Sequence, residues 1–283
     1  MLDCSRYWRY CCQVVRVSRP GCYQFTLWLY FLPTGRRPDL LSSPIFYIGA
    51  MYCTLPMNLL LYVMNDYMDT ASDAANPRKG GWFGARYTRS DLQHVAVAAV
   101  LLQVPFLFGA LMLRGYSVFA LYFAFLFLNT WYNFFHGSRT PPFDLLLPLG
   151  YTLVIPLSAV LNATPSVPVR TMLHALLGVL RLQVLTQVAD IAADASVGRR
   201  TSAVALGPDG SLVLLTAVTA AELQLHLHAF ANVWLVAYSA VNVLVVVAMA
   251  TGKRSMGKFL TPLGLCLWIV SGVVGWRDGS FVN

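Results

Sequence analysis

Long apolar runs alternate with short polar segments along most of the 283-residue chain. Nine of these runs approach the ~20 residues that a helix needs to cross a bilayer, so the pattern predicts nine transmembrane helices. We place them at about residues 20–33, 43–65, 91–113, 115–132, 143–161, 168–190, 210–228, 231–250 and 258–276. The chain is therefore predicted to be an all-α membrane protein with a tail at 1–19, one transmembrane domain at 20–276 and a short tail at 277–283.

Composition agrees with a multi-pass membrane protein, because 57% of the residues are hydrophobic, 11% are charged and the mean hydropathy is +0.60. The net charge of +8 could suggest a nucleic-acid partner. However, most of the 20 Lys and Arg residues lie in the first tail and in the loops after spans two, four, six and eight. Such a bias predicts that the N-terminus is inside and the C-terminus outside, and it removes the argument for nucleic acid. The first tail is expected to stay on the inner side, with a transit peptide as the alternative.

Acidic residues concentrate at the end of the second apolar run, where Asn65, Asp66, Asp69 and Asp73 follow one another. On a helix, residues four apart share a face, so Asn65, Asp69 and Asp73 should lie along one side. Three carboxylates this close repel one another unless a multivalent cation joins them. Since Mg²⁺ prefers oxygen ligands, the three aspartates are predicted to bind Mg²⁺.

A second acidic pair, Asp190 and Asp194, lies at the end of the sixth apolar run. These two helix ends together hold five of the chain's 12 acidic residues. Spans two and six exit on the same side of the bilayer, so the two motifs are predicted to face each other on the inner side. Asp190 and Asp194 are then expected to bind a second Mg²⁺.

Polar side chains continue upstream of both motifs at helical spacing. Asn58 and Tyr62 precede the first motif, and Gln183 and Gln187 precede the second. Polar residues within a span usually face protein or a water-filled cavity, so these side chains are predicted to line one cavity. Interhelical hydrogen bonding is the alternative for Asn58, Tyr62 and Gln183.

Basic residues lie close to the acidic motifs and could bind a diphosphate group, which Arg recognises through two parallel hydrogen bonds. The candidates are Arg78, Lys79, Arg139, Arg199 and Arg200.

Both motifs resemble those of the UbiA superfamily of intramembrane prenyltransferases. The pattern Asn-Asp-x-x-Asp-x-x-x-Asp is met at residues 65–73, and Asp-x-x-x-Asp followed by Gly-x-Arg-Thr is met at 190–201. The resemblance covers essentially the whole chain and implies a nine-helix bundle around a central cavity. It also implies an isoprenyl diphosphate donor, a lipophilic acceptor, Mg²⁺ and a catalytic role for the five aspartates. The implied substrate contacts come from Asn58, Tyr62, Asn65, Arg78, Lys79, Tyr132, Arg139, Gln187, Arg199 and Arg200.

The chain departs from the family pattern in two places. Many members carry an acid one turn before the second motif, where this chain has Thr186-Gln187. Many also have two prolines between a tyrosine and a basic residue after span four, where residues 132–139 of this chain keep Tyr132 and Arg139 without prolines between them and add His136 as a further candidate.

A charged residue within the sixth span stands apart from the motifs. Arg181 lies nine residues before Asp190, which is about half a helical rotation away, so it is predicted to face away from the cavity. A buried charge needs a partner, and Glu222 is the only Glu in the chain. We therefore predict an Arg181–Glu222 pair.

These features together predict a Mg²⁺-dependent prenyltransferase. It would ionise an isoprenyl diphosphate, steady the carbocation with the rings of Tyr62, Trp131 and Tyr132, and transfer the prenyl group to an aromatic, quinone-type acceptor. A terpene cyclase with the same fold needs no acceptor and is the first alternative. A non-catalytic membrane carrier or assembly subunit is the second.

Overall fold

The computed structural model describes residues 4–75, 87–135 and 140–282, and within these ranges every regular element is a helix. The α-helices are α1 Cys4–Val17, α2 Tyr23–Phe31, α3 Pro44–Tyr52, α4 Leu55–Met68, α5 Thr70–Ala75, α6 Arg89–Arg114, α7 Tyr116–Phe134, α8 Leu147–Thr152, α9 Val154–Leu161, α10 Val169–Ser196, α11 Ser202–Ala229, α12 Val233–Ala250 and α13 Arg254–Asp278.

These helices form nine consecutive spans in the described part of the chain, as the apolar runs predict. Helix α2 and the short 3₁₀ helix Leu32–Thr34 make the first span, α3 with α4 the second, and α8 with α9 the fifth. Helices α6, α7, α10, α11, α12 and α13 make one span each. Within the described ranges, six segments have the length and apolar composition to cross a membrane: Pro44–Met68, Arg89–Arg114, Phe143–Leu161, Val169–Ser196, Ser202–Ala229 and Val233–Ala250.

Local chemistry fixes several helix ends. Thr88 and Asp91 form a capping box at the start of α6, in which each side chain accepts from the other residue's backbone N–H. Gly115 has a φ of 69° and separates α6 from α7, a left-handed conformation that glycine adopts without steric cost.

Helix α11 differs from the predicted seventh span because it begins at Ser202 rather than near 210. The hydroxyl of Thr201 caps its first turn by accepting from the backbone N–H of Val204. The chain then bends at Gly207, whose φ is 70°, directly before Pro208. A proline cannot donate to the preceding turn, so the bend separates a short first segment, residues 202–206, from the rest of the helix.

The outer surface of the bundle is apolar, as expected for contact with lipid. Large side chains such as Phe108, Met112 and Val213 are more than half exposed. Many more exposed hydrophobic side chains share this surface than a soluble monomer carries. The protein is therefore a multi-pass integral membrane protein.

The two ends of the bundle are marked by contacts of the first span. At its start, the Arg19 guanidinium donates to the Asn65 side chain at 3.1 Å. At its end, the Trp276 indole of α13 donates to the Thr34 hydroxyl at 3.0 Å. The first and last spans therefore bring the chain's two tails to opposite ends of the bundle, in agreement with an odd number of crossings.

The predicted Arg181–Glu222 pair is confirmed. The Arg181 Nε atom lies 2.7 Å from Glu222 Oε2, between α10 and α11, and both side chains are buried. The guanidinium also donates to the hydroxyl of Tyr238 on α12. One buried charge pair thus ties three neighbouring spans together.

Replacing Glu222 by Gln should destabilise the protein by about 3–5 kcal/mol, because Arg181 would remain buried without its counter-charge. The double variant Arg181→Met/Glu222→Leu should recover most of this loss. Chemical unfolding in detergent micelles measures both effects. The matched control is Asp39→Asn, which removes the exposed Arg37–Asp39 pair and should change little. A Glu222→Gln variant as stable as the control would contradict the structural role of the pair.

Candidate active site

Both acidic motifs border one cavity of about 640 Å³. Asp69 and Asp73 line it from the junction of α4 and α5, and Asp190 and Asp194 line it from the end of α10. The two motifs therefore meet at the same end of the bundle, as their positions in spans two and six predict.

Arg199 joins the two motifs directly. Its Nη1 atom lies 2.8 Å from Asp69 Oδ2 and 3.6 Å from Asp194 Oδ1. Burial by itself would lower the pKa of the Arg199 guanidinium, but the carboxylates of Asp69 and Asp194 raise this pKa above its ordinary value. Arg199 therefore stays charged, and one cation is shared between carboxylates that lie 125 residues apart in the sequence.

The turn after α10 explains why Arg199 reaches this position. The Arg199 N–H donates to the carbonyl of Asp194 at 2.9 Å, and the Gly198 N–H donates to Ala195 at 3.1 Å. Together they form a Schellman motif, with Gly198 in the left-handed conformation at φ 71°. This turn folds the chain back, so that Arg199 returns to the acidic helix end.

Asn65 links the first motif to a second arginine. Its amide Nδ2 donates to Asp69 Oδ2 at 3.0 Å, and its Oδ1 accepts from Arg19 at 3.1 Å. Asn65 and Arg199 therefore both contact the Oδ2 atom of the Asp69 carboxylate. Asn65 and Arg19 both line the cavity.

Asp66, the fifth predicted metal ligand, pairs with an arginine in this structure. Asp66 is buried and paired with Arg19, and it does not contribute to the described lining of the cavity. Burial alone would lower the pKa of Arg19, but the Asp66 carboxylate raises this pKa above its ordinary value. Arg19 has a left-handed backbone, with a φ of 52°, which costs a non-glycine residue about 1–2 kcal/mol. Asp66 therefore positions Arg19.

Tyr132 and the two glutamines of α10 lie at the cavity, as predicted. The Gln183 amide on α10 donates to the Tyr132 hydroxyl on α7 at 3.1 Å. The Gln187 amide donates to Asp144 Oδ2 at 2.9 Å. These contacts fix the polar side of α10 immediately below its acidic end.

Asp144 is a residue that sequence reasoning missed. It is fully buried and accepts from the backbone N–H and the hydroxyl of Ser202, both at 2.6 Å. Through Gln187 it also holds α10, so one carboxylate fixes the start of α11 against the second motif. Its sequence neighbours are apolar, and a lone acid in such a segment gave no indication of this contact.

Two further missed residues lie on α7. Asn129 and Asn133 are buried, line the cavity and are four residues apart on one helix face. The Asn133 amide donates to the Asn129 backbone carbonyl at 2.9 Å. The side-chain atoms Asn129 Nδ2 and Asn133 Oδ1 have no hydrogen-bond partner within the described ranges. The four-residue spacing of Asn129 and Asn133, close to Tyr132, is the sequence pattern that could have identified them.

Three other predictions change. Asn58 does not reach the described cavity wall, because its amide is used by Thr26 and by backbone carbonyls, which is the interhelical alternative. Arg200 is exposed and lies outside that wall, since the turn that returns Arg199 directs the next residue outward. Trp131 packs edge-on against Phe143 and is also absent from the described wall.

Tyr62 does line the cavity, but the Arg19 guanidinium lies 4.1 Å from its ring centroid. One face of this ring is therefore already engaged by a cation. The predicted substrate contacts Arg78, Lys79 and Arg139, and the candidate His136, lie outside the described residues.

The prediction that Arg181 faces away from the cavity is wrong. Arg181, Glu222 and His174 all line its far end. The cavity is wide enough to reach two sides of α10, so half a helical rotation does not remove a side chain from it.

A second cavity of about 460 Å³ lies beside the first, with an almost wholly apolar lining from α2, α3 and α13. Gln24, Trp28 and Trp268 border both cavities. The Trp28 and Trp268 rings lie 5.3 Å apart between their centroids. The tryptophan pair therefore separates the polar-capped cavity from an apolar groove between the first and last spans.

The donor set at the acidic end fits Mg²⁺. Asp69, Asp73, Asp190 and Asp194 supply carboxylate oxygens, which are the ligands that Mg²⁺ takes in proteins. The shared Arg199 guanidinium demonstrates that oxygens from both motifs can approach one cation.

Comparison with characterised proteins gives partial matches to carotenoid enzymes. The chain is 42% identical over 78 residues to a C(50) beta-cyclic carotenoids biosynthesis protein of Dietzia sp. (strain CQ4), covering 28% of this chain and 17% of that protein. It is 36% identical over 63 residues to the lycopene elongase/hydratase of Corynebacterium glutamicum, covering 22% of each chain. The matches thus span about a fifth of these relatives.

Solved structures match over nearly the whole chain. A UbiA homologue from Aeropyrum pernix K1 has a TM-score of 0.65 and 20% identity, covering 90% of this chain and 98% of that one. A UbiA homologue from Archaeoglobus fulgidus, bound to GPP and Mg²⁺, has a TM-score of 0.61 and 16% identity, covering 92% and 98%. At these identities the likeness demonstrates a common fold. Residues 23–258 match the UbiA prenyltransferase family, and the chain belongs to this family of membrane enzymes.

Proposed function

We propose that this protein is a Mg²⁺-dependent prenyltransferase that joins an isoprenyl diphosphate to a lipophilic acceptor inside the membrane. The observation that carries the proposal is the Arg199 contact, which brings Asp69 and Asp194 together at the acidic end of the cavity. The Mg²⁺ bound to the Archaeoglobus fulgidus homologue supports the same cofactor here.

Asp69, Asp73, Asp190 and Asp194 would hold the metal. When bound, Mg²⁺ would neutralise charge on the diphosphate oxygens. Arg199 already lies between the two carboxylate groups, so it would remain beside the diphosphate as a hydrogen-bond donor. Arg19 would support the site indirectly, because it orients Asn65 against Asp69.

Ionisation would break the bond between the prenyl C1 atom and the bridging oxygen, with the electron pair leaving on the diphosphate. The allylic cation must then be kept from water. Tyr132 is buried at the cavity wall, close to the acidic end, and its ring can stabilise positive charge. The apolar walls below it exclude solvent.

The acceptor is proposed to be an electron-rich carbon nucleophile, either an aromatic ring of the quinone type or the double bond of a polyene. Its π electrons would form the new carbon–carbon bond, and a proton would then leave the acceptor. Asp190 lines the cavity and is half-buried, so the Asp190 oxygen that does not hold the metal is the proposed proton acceptor. The names of the two carotenoid relatives support the polyene arm.

Asp69→Asn and Asp194→Asn should each lower kcat/KM for prenyl transfer by at least about 10²-fold, because each removes charge that a developing diphosphate anion and its metal require. EDTA should abolish transfer and Mg²⁺ should restore it. The effects of the substitutions and of EDTA are both measured as transfer of the prenyl group from radiolabelled farnesyl diphosphate by purified protein. Asp209→Asn, an exposed carboxylate near the start of α11, is the control and should retain activity. Full transfer activity in either motif variant would contradict the role given to that carboxylate, and no transfer by the wild-type protein would favour a non-catalytic carrier.

Arg199→Gln should raise KM for the diphosphate substrate by about 10-fold or more, because one charge-assisted hydrogen bond is lost. Arg200→Gln is the matched control, since the adjacent side chain is exposed and should leave KM unchanged. Steady-state kinetics on both variants makes the comparison. Equal effects of the two substitutions would contradict the assignment of Arg199.

Product analysis distinguishes transfer from cyclisation. With farnesyl diphosphate and Mg²⁺, a prenylated product should form only when an acceptor is added, either a hydroxybenzoate or lycopene in separate reactions. Mass spectrometry of the lipid extract identifies the product. A cyclic hydrocarbon released with diphosphate in the absence of acceptor would instead support the terpene cyclase.

A further inference from the structure

The far end of the main cavity carries a group of buried polar side chains that prenyl transfer does not use. We call this group the distal polar cluster. Its members come from three adjacent helices, α10, α11 and α12, and are His174, Arg181, Glu222, His226, Tyr238, Ser239 and Asn242. All except His226 and Ser239 line the cavity.

Three polar atoms of this cluster lack a hydrogen-bond partner within the described residues: Glu222 Oε1, His174 Nε2 and Asn242 Nδ2. Glu222 Oε2 accepts from Arg181, but Glu222 Oε1 has no hydrogen bond within the described residues. His174 Nδ1 lies 2.7 Å from His226 Nε2, but His174 Nε2 likewise has no partner there. A buried polar group without a partner is costly, so each atom gains stability when a ligand supplies a hydrogen bond.

The cluster is better suited to a neutral ligand than to a metal ion. One ligand atom from each of His174, Glu222 and His226 lies within 4.8 Å of the others, which is compatible with a metal site. The two imidazoles, however, already share a hydrogen bond, and the charged Arg181 guanidinium is bound to the same carboxylate. A divalent ion would have to displace the first contact and would be repelled by the second.

We propose that the distal polar cluster binds a single hydroxyl group carried by a long isoprenoid lipid. Glu222 Oε1 only accepts, so the ligand must donate to it. His174 Nε2 can donate or accept, because the Ser239–His226–His174 chain of hydrogen bonds can run in either direction. A hydroxyl group both donates and accepts, so it can donate to Glu222 Oε1 and has the lone pairs to accept from His174 Nε2.

The ligand's hydroxyl group would reach the cluster beside Gly178. A Cβ atom added at Gly178 would lie 3.5 Å from Glu222 Oε1 and 3.9 Å from the Trp28 ring. The Trp28 ring also packs edge-on against His174, with 5.1 Å between centroids, and it borders the apolar groove. A lipid in the groove therefore meets the cluster at this tryptophan.

The distance from the acidic end restricts the ligand further. Gly178 precedes Asp190 by 12 residues on one helix, which corresponds to about 18 Å. The hydroxyl group bound here is thus far from the atoms that react at the diphosphate. It is recognised at the polar far end of the cavity, and its binding does not depend on diphosphate chemistry.

Binding of tritiated farnesol and of farnesyl methyl ether, measured in EDTA with purified wild-type protein, tests the proposal. The two probes differ by the hydrogen that Glu222 Oε1 requires. Wild-type protein should prefer the alcohol by about 10-fold, the value of one hydrogen bond to a charged group. Gly178→Ala should reduce this preference to less than about 2-fold while the affinity for the ether is kept, because its methyl group covers Oε1.

Gly109→Ala is the matched control, since a Cβ atom there meets nothing within 4 Å, and it should keep the wild-type preference. Equal affinity of wild-type protein for the two probes, or an unchanged preference in Gly178→Ala, would overturn the proposal. One tightly bound zinc ion per chain that is lost in His174→Phe would also overturn it, in favour of a metal site. Failure of prenyl transfer would leave the alcohol preference as it is, so the two proposals can fail separately.

Discussion

The shared contact of Arg199 with Asp69 and Asp194 is the interaction on which the active end of this protein depends. Carboxylates on two helices would repel one another at the edge of an apolar bundle, where little water screens them. A cation between them converts that repulsion into a contact that holds the two helix ends together. A metal ion bound by the same two carboxylates would also offset the repulsion between them.

Hydrogen bonds from neighbouring helices hold this contact in place. Asn65 and Arg19 orient the first motif, and Asp144 fixes the second through Gln187 and Ser202. Buried hydrogen bonds of this kind are strong where the surroundings are apolar, and each is costly to break. The outer surface of the bundle, in contrast, is left to hydrophobic side chains.

The sequence predicted the fold and the position of the two motifs because each rests on a local pattern. Apolar run length predicts the spans, and four-residue spacing places Asp69 and Asp73 on one face. Long-range pairing is not local, so the partnership of Asp66 with Arg19 and the role of Asp144 could not be read from the chain. Arg199 and Arg200 are adjacent and chemically identical, and only the turn at Gly198 separates the buried residue from the exposed one.

The buried pair Arg181–Glu222 illustrates both what the sequence could predict and what it could not. Its existence followed from the cost of an isolated charge in a membrane, but its exposure to the cavity depended on cavity width, which no helical periodicity encodes. The structure thus adds a polar far end to a cavity whose acidic end the sequence had already identified.

A double-mutant cycle on Mn²⁺-dependent diphosphate binding, followed by electron paramagnetic resonance, tests most directly whether the two motifs form one site. Asp69→Asn, Asp194→Asn and the combined variant are compared with wild-type protein. If the carboxylates share bound metal, either single substitution should remove nearly as much affinity as both together. Strictly additive losses would mean that the motifs bind independently, and this would contradict the account.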